Sequence, residues 1–239
     1  MPYKNKVAGG STFEMAEKRR KTMIMIAVVG VGIFAILLVV INNSKTLGIG
    51  GVGFLVLLFG VKVFPDILDG ILGKKQKEVK RAIRGAKAEV QIDTLLSALT
   101  EDYYVINDLE SPFGNIDHVV FSKNGAFFLI ETKSHHGKVS FQDCSIYING
   151  HSPEKDFISQ TLKNTYWCRE KINEITGTKV WILPVIVFTN AFVPYSDPIK
   201  GVHILNQKFL IRTITNTNDR CRPNSSLWEN KDRILIALS

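Results

Sequence analysis

The sequence predicts an α/β domain in the C-terminal two-thirds of the chain, preceded by two transmembrane helices. Three observations carry this: two long apolar runs within the first 64 residues, alternating helical and β-rich patterns from about Lys77 onward, and a positive excess confined to the flanks of the apolar runs. With 239 residues, 45% of them hydrophobic, the chain can bury a sizeable core and is not broadly disordered. Its net charge of +8 is held unevenly. Residues 1–84 carry 14 Lys and Arg against 5 Asp and Glu (+9), and residues 85–239 carry 16 against 17 (−1). The basic character therefore belongs to the N-terminal third, and basicity alone says nothing about what the larger domain binds.

From Met23 to Ile41 run 19 residues without a charged or strongly polar side chain, long enough as a helix to cross a hydrocarbon core of about 30 Å. A second run, Leu47 to Val61, reaches Phe64 if Lys62 extends its ammonium to the interface. Between them Asn42-Asn43-Ser44 is a turn signal, so a helical hairpin is expected. Lys18, Arg19, Arg20 and Lys21 precede the first span, Lys74 to Arg84 follow the second, and the loop carries Lys45 alone. Since Lys and Arg are retained on the cytoplasmic side, both termini are expected to be cytoplasmic and the protein to span the cell membrane twice. A cleaved signal peptide fits less well, because the apolar run is too long and no small-x-small site follows it. The organisation expected is a basic N-terminus (1–22), the hairpin (23–72, spans 23–41 and 47–64), a basic linker (73–84) and one domain with a C-terminal helical extension (85–239).

Cys144, Cys168 and Cys221 are isolated, with no C-x-x-C pair for zinc or redox chemistry, which agrees with a reducing compartment. Lys77 to Leu99 has a helical pattern, followed by a strand at Tyr103 to Ile106 and a loop from Asp108 to Gly114. Ile116 to Ser122 and Ala126 to Ile130 flank Lys123-Asn124-Gly125, a strong hairpin signal. Short strands at Lys138 to Phe141 and Ser145 to Ile148 end at Asn149-Gly150. Ser152-Pro153 is expected to open a helix reaching Ile175, with proline in the first turn where its missing N–H costs nothing. Val180 to Thr189 reads as a buried strand interrupted by Pro184, Val202 to Leu205 as a strand, Asn206 as the start of a short helix, and Ser226-x-x-Glu229 as the capping box of a last helix.

The chemistry gathers in the middle of this order. Asp117 lies on one strand of the Asn-Gly hairpin. Glu131 and Lys133, at the end of the next strand, point to one side because strand side chains alternate, and Thr132 points away. Carboxylates and an ammonium converging at strand ends suit a hard divalent cation, which prefers oxygen ligands, beside a cation that orients water or neutralises developing charge. Glu89 falls in line with Ala82, Ala86, Ile92 and Leu96, so a carboxylate stands on a helix face that should be packed and needs a partner.

At these positions the sequence resembles the nuclease-related domain (NERD), a branch of the PD-(D/E)XK nuclease-like superfamily. The resemblance is carried by Gly85-Ala-Lys-Ala-Glu89, Gly114-Asn-Ile-Asp117-His-Val-Val, Gly125-Ala-Phe-Phe-Leu-Ile-Glu131-Thr-Lys133 and Gln160, across roughly residues 78 to 190. It implies a three-layer restriction-endonuclease-like core with a mixed central sheet, and metal-dependent hydrolysis of phosphodiesters in nucleic acid, with DNA favoured as substrate. By the same resemblance Asp117, Glu131 and Glu89 would be ligands of Mg²⁺ or Mn²⁺. Lys133 would position or activate the attacking water and stabilise transition-state charge, and Gln160 would be an auxiliary polar residue. Two positions depart from the family pattern: Ile116 stands where the superfamily name has proline, and Ala88 where a second glycine is common. Neither removes a charged group.

Other readings stand beside these. The charges could form a structural ion-pair cluster at a sheet edge; Glu89 and the matching order tip the balance toward a site. Gln160, Asn164, Trp167 and Lys171 share a helix face, read either as a polar wall with a base-stacking Trp or as a solvated shoulder, the latter preferred for Asn164 and Lys171. His135-His136 are read as turn residues. No phosphate-cradling G-x-x-x-x-G-K-[ST] or G-x-G-x-x-G loop is present. The partners expected are nucleic acid and a lipid bilayer. The alternative to an enzyme is a catalytically silent membrane-tethered module that binds nucleic acid or protein.

Overall fold

In the computed structural model, which describes residues 3–4, 8–43, 48, 50–177, 179–218 and 225–238, the chain forms two compact units, Thr12–Ile83 and Met1–Ser11 with Arg84–Ser239. Helix α1 (Gly10–Asn42) and the first part of α2 (Gly51–Leu96) build the former. Arg19 with Glu78, Gly30 with Leu68 and Phe34 with Phe64 meet in antiparallel order. A Cβ at Gly30 would come within 2.6 Å of Leu68 Cδ2, so only glycine allows this approach. Both helices are long and apolar enough to cross a membrane, and almost none of the residues in the crossing windows is buried. Residues 73–84, expected as a linker, are helical within α2. Ser44 to Leu47, where part of the predicted turn falls, and Cys221 lie outside the described residues.

The larger unit is built on a mixed six-stranded sheet. Its strands are β1 (Tyr3–Lys4), β2 (Tyr103–Leu109), β3 (Ile116–Ser122), β4 (Phe127–Gln142), β6 (Ile182–Phe192) and β7 (His203–Asn206), in the order β1-β2-β3-β4-β6-β7. The pairs β2/β3 and β3/β4 are antiparallel, and β1/β2, β4/β6 and β6/β7 parallel. The β3–β4 connection closes as the Asn-Gly signal predicts: Gly125 N donates to Ser122 O, and Gly125 adopts φ 82°, the left-handed residue of a three-residue hairpin loop.

Helices cover both faces, because strand alternation makes both faces apolar. On one face Ile92 and Leu96 of α2 and Leu210 and Ile214 of α4 (Leu210–Asn218) pack on Val105, Val120, Phe128 and Val187. On the other, Cys168 and Ile172 of α3 (Phe157–Thr176) join Leu227 of α5 (Ser225–Glu229) and Ile234 of α6 (Lys231–Leu238) against Val119, Phe121 and Leu129. The result is the α/β class expected, with a mixed sheet between helical layers.

Several local expectations are corrected. The segments around Ala126–Ile130 and Lys138–Phe141 are one strand, β4, whose far half pairs with β5 (Ser145–Ile148). His135 and His136 are therefore strand residues at a bulge, where the register with β6 slips between Lys133 and His136. Helix α3 starts at Phe157 rather than in the Ser152-Pro153 turn, because Asp156 supplies the capping oxygen, accepting from Ser159 N at 3.0 Å. Pro184 does not interrupt β6; β7 pairs only from Val185 onward, so the proline sits where that side of β6 is still open. Residues 3–4 add an edge strand that the sequence did not announce.

Candidate functional site

Two strands and one helix bring the charged residues together. The ladder pair His118 with Ile130 carries Asp117 of β3 to the level of Glu131 on β4. Thr132 N donates to Asp117 Oδ2 at 2.6 Å, which ties the carboxylate to the neighbouring strand. Alternation sets Glu131 and Lys133 on one side of β4, and Lys133 Nζ donates to Glu131 Oε1 at 2.6 Å. Their side chains are only 12% and 5% exposed, so this is a buried pair and its loss costs far more than that of a surface bridge. The Lys133 ammonium also lies 4.7 Å from the centroid of the Phe157 ring, on α3.

Glu89, on α2, is buried and close enough to act on both Asp117 and Lys133. Burial, reinforced by the charges of Glu131 and Glu89, holds the Asp117 carboxyl well above the usual carboxylate range, against the opposing pull of Lys133 and Thr132 N–H. For Lys133, burial favours the neutral amine, but Glu131, Asp117 and Glu89 together outweigh it and raise its pKa. Lys133 is thus a fixed cation. Three carboxylates and the Lys133 ammonium act on one another in a desolvated place.

Gln160 lies elsewhere along the same wall. Its Nε2 is 3.2 Å from where a Cβ on Gly114 would stand, so it packs against the backbone three residues before Asp117, and Gly114 at φ 112° leaves it room. Asn164, one turn further along α3, is fully buried and accepts from Ser111 Oγ at 2.6 Å. It is not the solvated shoulder expected, because the Ser111–Gly114 loop folds over it; Lys171, by contrast, makes a surface pair with Glu174 at 2.9 Å.

Residues 84–189 match the family model described as nuclease-related domain (NERD), a span that holds every residue of this cluster. Over these residues the chain is similar to that family. No curated protein and no solved structure matches the chain.

The matched residues contain a second polar network that sequence reasoning missed. Asn107 Nδ2 donates to Asp93 Oδ1 at 2.8 Å, and Asn107 Oδ1 lies 2.9 Å from His118 Nδ1. With the amide nitrogen committed to the carboxylate, its oxygen accepts from His118 Nδ1–H. Asp93 follows Glu89 by one helical turn and His118 follows Asp117 directly, so the network locks the helix carrying one carboxylate to the strand carrying another. The available signal was a histidine and an asparagine inside otherwise apolar strands. A third cluster joins Ser11, Asp108 and Asn115: Asp108 accepts from Ser11 N at 2.8 Å and Ser11 Oγ at 2.5 Å, and Asn115 Nδ2 donates to both Asp108 and Ser11.

Among the described residues no group of three or more His, Cys, Asp or Glu side chains is already set to hold a metal ion. The donor chemistry nonetheless fits a hard divalent cation. All the acidic ligands are oxygens, and Glu131 Oε2 is buried with no hydrogen-bond partner among the described residues.

Proposed function

We propose that this protein is a membrane-anchored, metal-dependent nuclease that hydrolyses phosphodiester bonds of nucleic acid, DNA in preference to RNA, at the cytoplasmic face. The observation that carries the reading is the buried set of three carboxylates gathered around the Lys133 ammonium within the residues that match the nuclease-related domain. Carboxylates that repel one another under burial, with Glu131 Oε2 buried and unbonded among the described residues, suit a dication.

Asp117, Glu131 and, directly or through water, Glu89 would hold Mg²⁺ or Mn²⁺. Bound there, the ion would polarise a phosphoryl oxygen and acidify water. Lys133 stays protonated, so it does not accept the proton of the attacking water; it orients that water and balances the charge that builds on the phosphoryl oxygens. Thr132 N–H keeps Asp117 directed at the same place, and Phe157 walls the ammonium from solvent. Gln160 offers an amide beside Gly114 to a phosphate or sugar oxygen of the substrate. The two apolar helices would tether the domain as residues 23–72, and the flanking Lys and Arg favour cytoplasmic termini.

The test is cleavage of labelled single- and double-stranded DNA and RNA by the full chain in nanodiscs, with Mg²⁺, Mn²⁺ or EDTA, beside Glu131→Ala and Lys133→Ala. Metal-dependent cutting lost in both variants is expected. A second reading, a silent binding module, is favoured by one observation: Lys133 already occupies Glu131 Oε1. A folded wild-type protein that binds nucleic acid and cuts none under any metal would establish it.

A further inference from the structure

Beyond the matched residues, the chain builds a second concave surface at the free edge of β7. The segment following β6, strand β7 itself and helix α4 enclose a cavity of about 650 Å³. Three of its aromatic side chains are turned to solvent: Tyr195 is 97% exposed, Phe192 60% and Phe209 44%. Aromatic rings gathered at this exposure forgo the stabilisation that burial brings, and such a gathering marks a binding surface.

The charges of the cavity have one sign. Lys208 and Arg212 line it and, among the described lining residues, no carboxylate does; Asp197 lies beside it in sequence but does not contribute to the wall. Half-buried His203 has its pKa pushed down by desolvation and adds no charge at neutral pH. The Lys208 ammonium stands 5.0 Å from the Phe209 ring centroid, so cation and ring form one unit.

The surface is also held rigidly. Asn206 Nδ2 donates to Ala191 O at 2.8 Å while its Oδ1 accepts from Lys208 N at 3.1 Å, and Gln207 Nε2 donates to Thr189 O at 3.0 Å. These bonds clamp the start of the helical segment onto the end of β6.

Sheet register relates the cavity to the carboxylate cluster. Ile204 pairs with Ile186, which pairs with Glu131; Asn206 pairs with Phe188, which pairs with Lys133. The β7 backbone beside the cavity is therefore level with the β4 backbone at Glu131 and Lys133, two strand spacings or about 10 Å across the sheet. Stacking rings, paired cations and absence of carboxylate are what a single-stranded nucleic acid requires, since every base has a π-face and every linkage a negative charge. A bilayer surface would need these rings on a convex face, whereas here they rim a hollow.

We infer that this cavity is a binding site for single-stranded nucleic acid, in which Tyr195, Phe192 and Phe209 stack on bases and Lys208 and Arg212 hold phosphates flanking the linkage at Glu131. Its ligand class rests on the nuclease reading above. The cavity recruits an unpaired stretch of the substrate and feeds the adjoining linkage to the site, so it favours single-stranded ends or gaps over continuous duplex.

The experiment measures binding of a fluorescein-labelled oligothymidylate to the full chain in phosphatidylcholine nanodiscs, in EDTA so that nothing is cut. Tyr195→Ala should weaken binding about 5- to 100-fold. Lys208→Ala with Arg212→Ala should weaken it and flatten the salt dependence by roughly 1.4 in log–log slope. All three positions are surface residues, and an unchanged melting temperature verifies that each variant folds. In parallel, hydrolysis of the small diester thymidine 5′-(p-nitrophenyl phosphate) with Mn²⁺ should survive these changes and be lost in Asp117→Asn. No hydrolysis by the wild type would overturn the nuclease reading, while pocket-dependent oligonucleotide binding would still uphold the site. Oligonucleotide binding that is absent, or indifferent to all three substitutions, would overturn the inference. So would a loss confined to binding of phosphatidylglycerol vesicles, which would make the surface a lipid contact.

Discussion

Replacing Lys133 by methionine keeps the aliphatic stem and removes an ammonium that acts on Asp117, Glu131 and Glu89. The Lys133–Glu131 bond is 2.6 Å long, between side chains 12% and 5% exposed, so its rupture strands a buried carboxylate. Breaking such a pair from one side costs about 3–5 kcal/mol. For a domain of this size that corresponds to a loss of roughly 6–20 °C in melting temperature. Trp167, Trp181 and Trp228 all belong to the larger unit, so tryptophan fluorescence of the full chain in nanodiscs reports its melting alone. In EDTA, Lys133→Met should melt within that lower range, and adding Glu131→Gln should recover at least half of the loss because the stranded charge is gone. Mg²⁺ at a hundred times its dissociation constant should return about 2.7 kcal/mol to any variant that still binds it. A Lys133→Met protein melting within about 2 °C of wild type in EDTA would refute the electrostatic account on which the metal proposal stands.

Three more perturbations test the description. Because the folded state holds the Asp117 proton more tightly than the unfolded chain, apo stability declines as pH rises from below 3.8 through the raised folded value. Asp117→Asn should therefore melt higher than wild type at pH 8 in EDTA, with the difference closing toward pH 4; a constant difference would contradict the assignment. Gly137, at φ 97°, leaves the space that Asn149 fills to bond Lys138 N and His136 O, so Gly137→Ala should cost about 1–3 kcal/mol in a chemical denaturation midpoint. Burial pushes the Cys168 thiol up to about 12, while Cys144 is exposed. With Cys144 and Cys221 changed to serine, maleimide should label Cys168 only at the rate of unfolding, and prompt labelling would show the helical layer over it to be open.

The order of elements was legible in the sequence because it is written in local patterns. Strand β3 begins and ends at Ile116 and Ser122 as its β-rich run does, and Asn124-Gly125 sets its hairpin through the backbone freedom of a single glycine. Alternation alone placed Glu131 and Lys133 on one side of a strand, and the 2.6 Å bond follows from it. Glu89 was visible as a carboxylate on an otherwise apolar helix stripe. Other features depend on partners distant in sequence, which no local period encodes. Whether Phe127 to Gln142 is one strand or two is decided by β6 pairing along most of its length, with a bulge at the histidines absorbing the mismatch. Asn164 looked like a surface residue until the Ser111 loop closed over it, and Asp93, Asn107 and His118 became a network only when a helix and two strands met. The cavity at β7 likewise arises from three segments that carry no motif between them. The sequence by itself determined which charges and faces existed; the tertiary structure decided which of them share a desolvated space, because electrostatic and packing energies depend on separation in space and not along the chain.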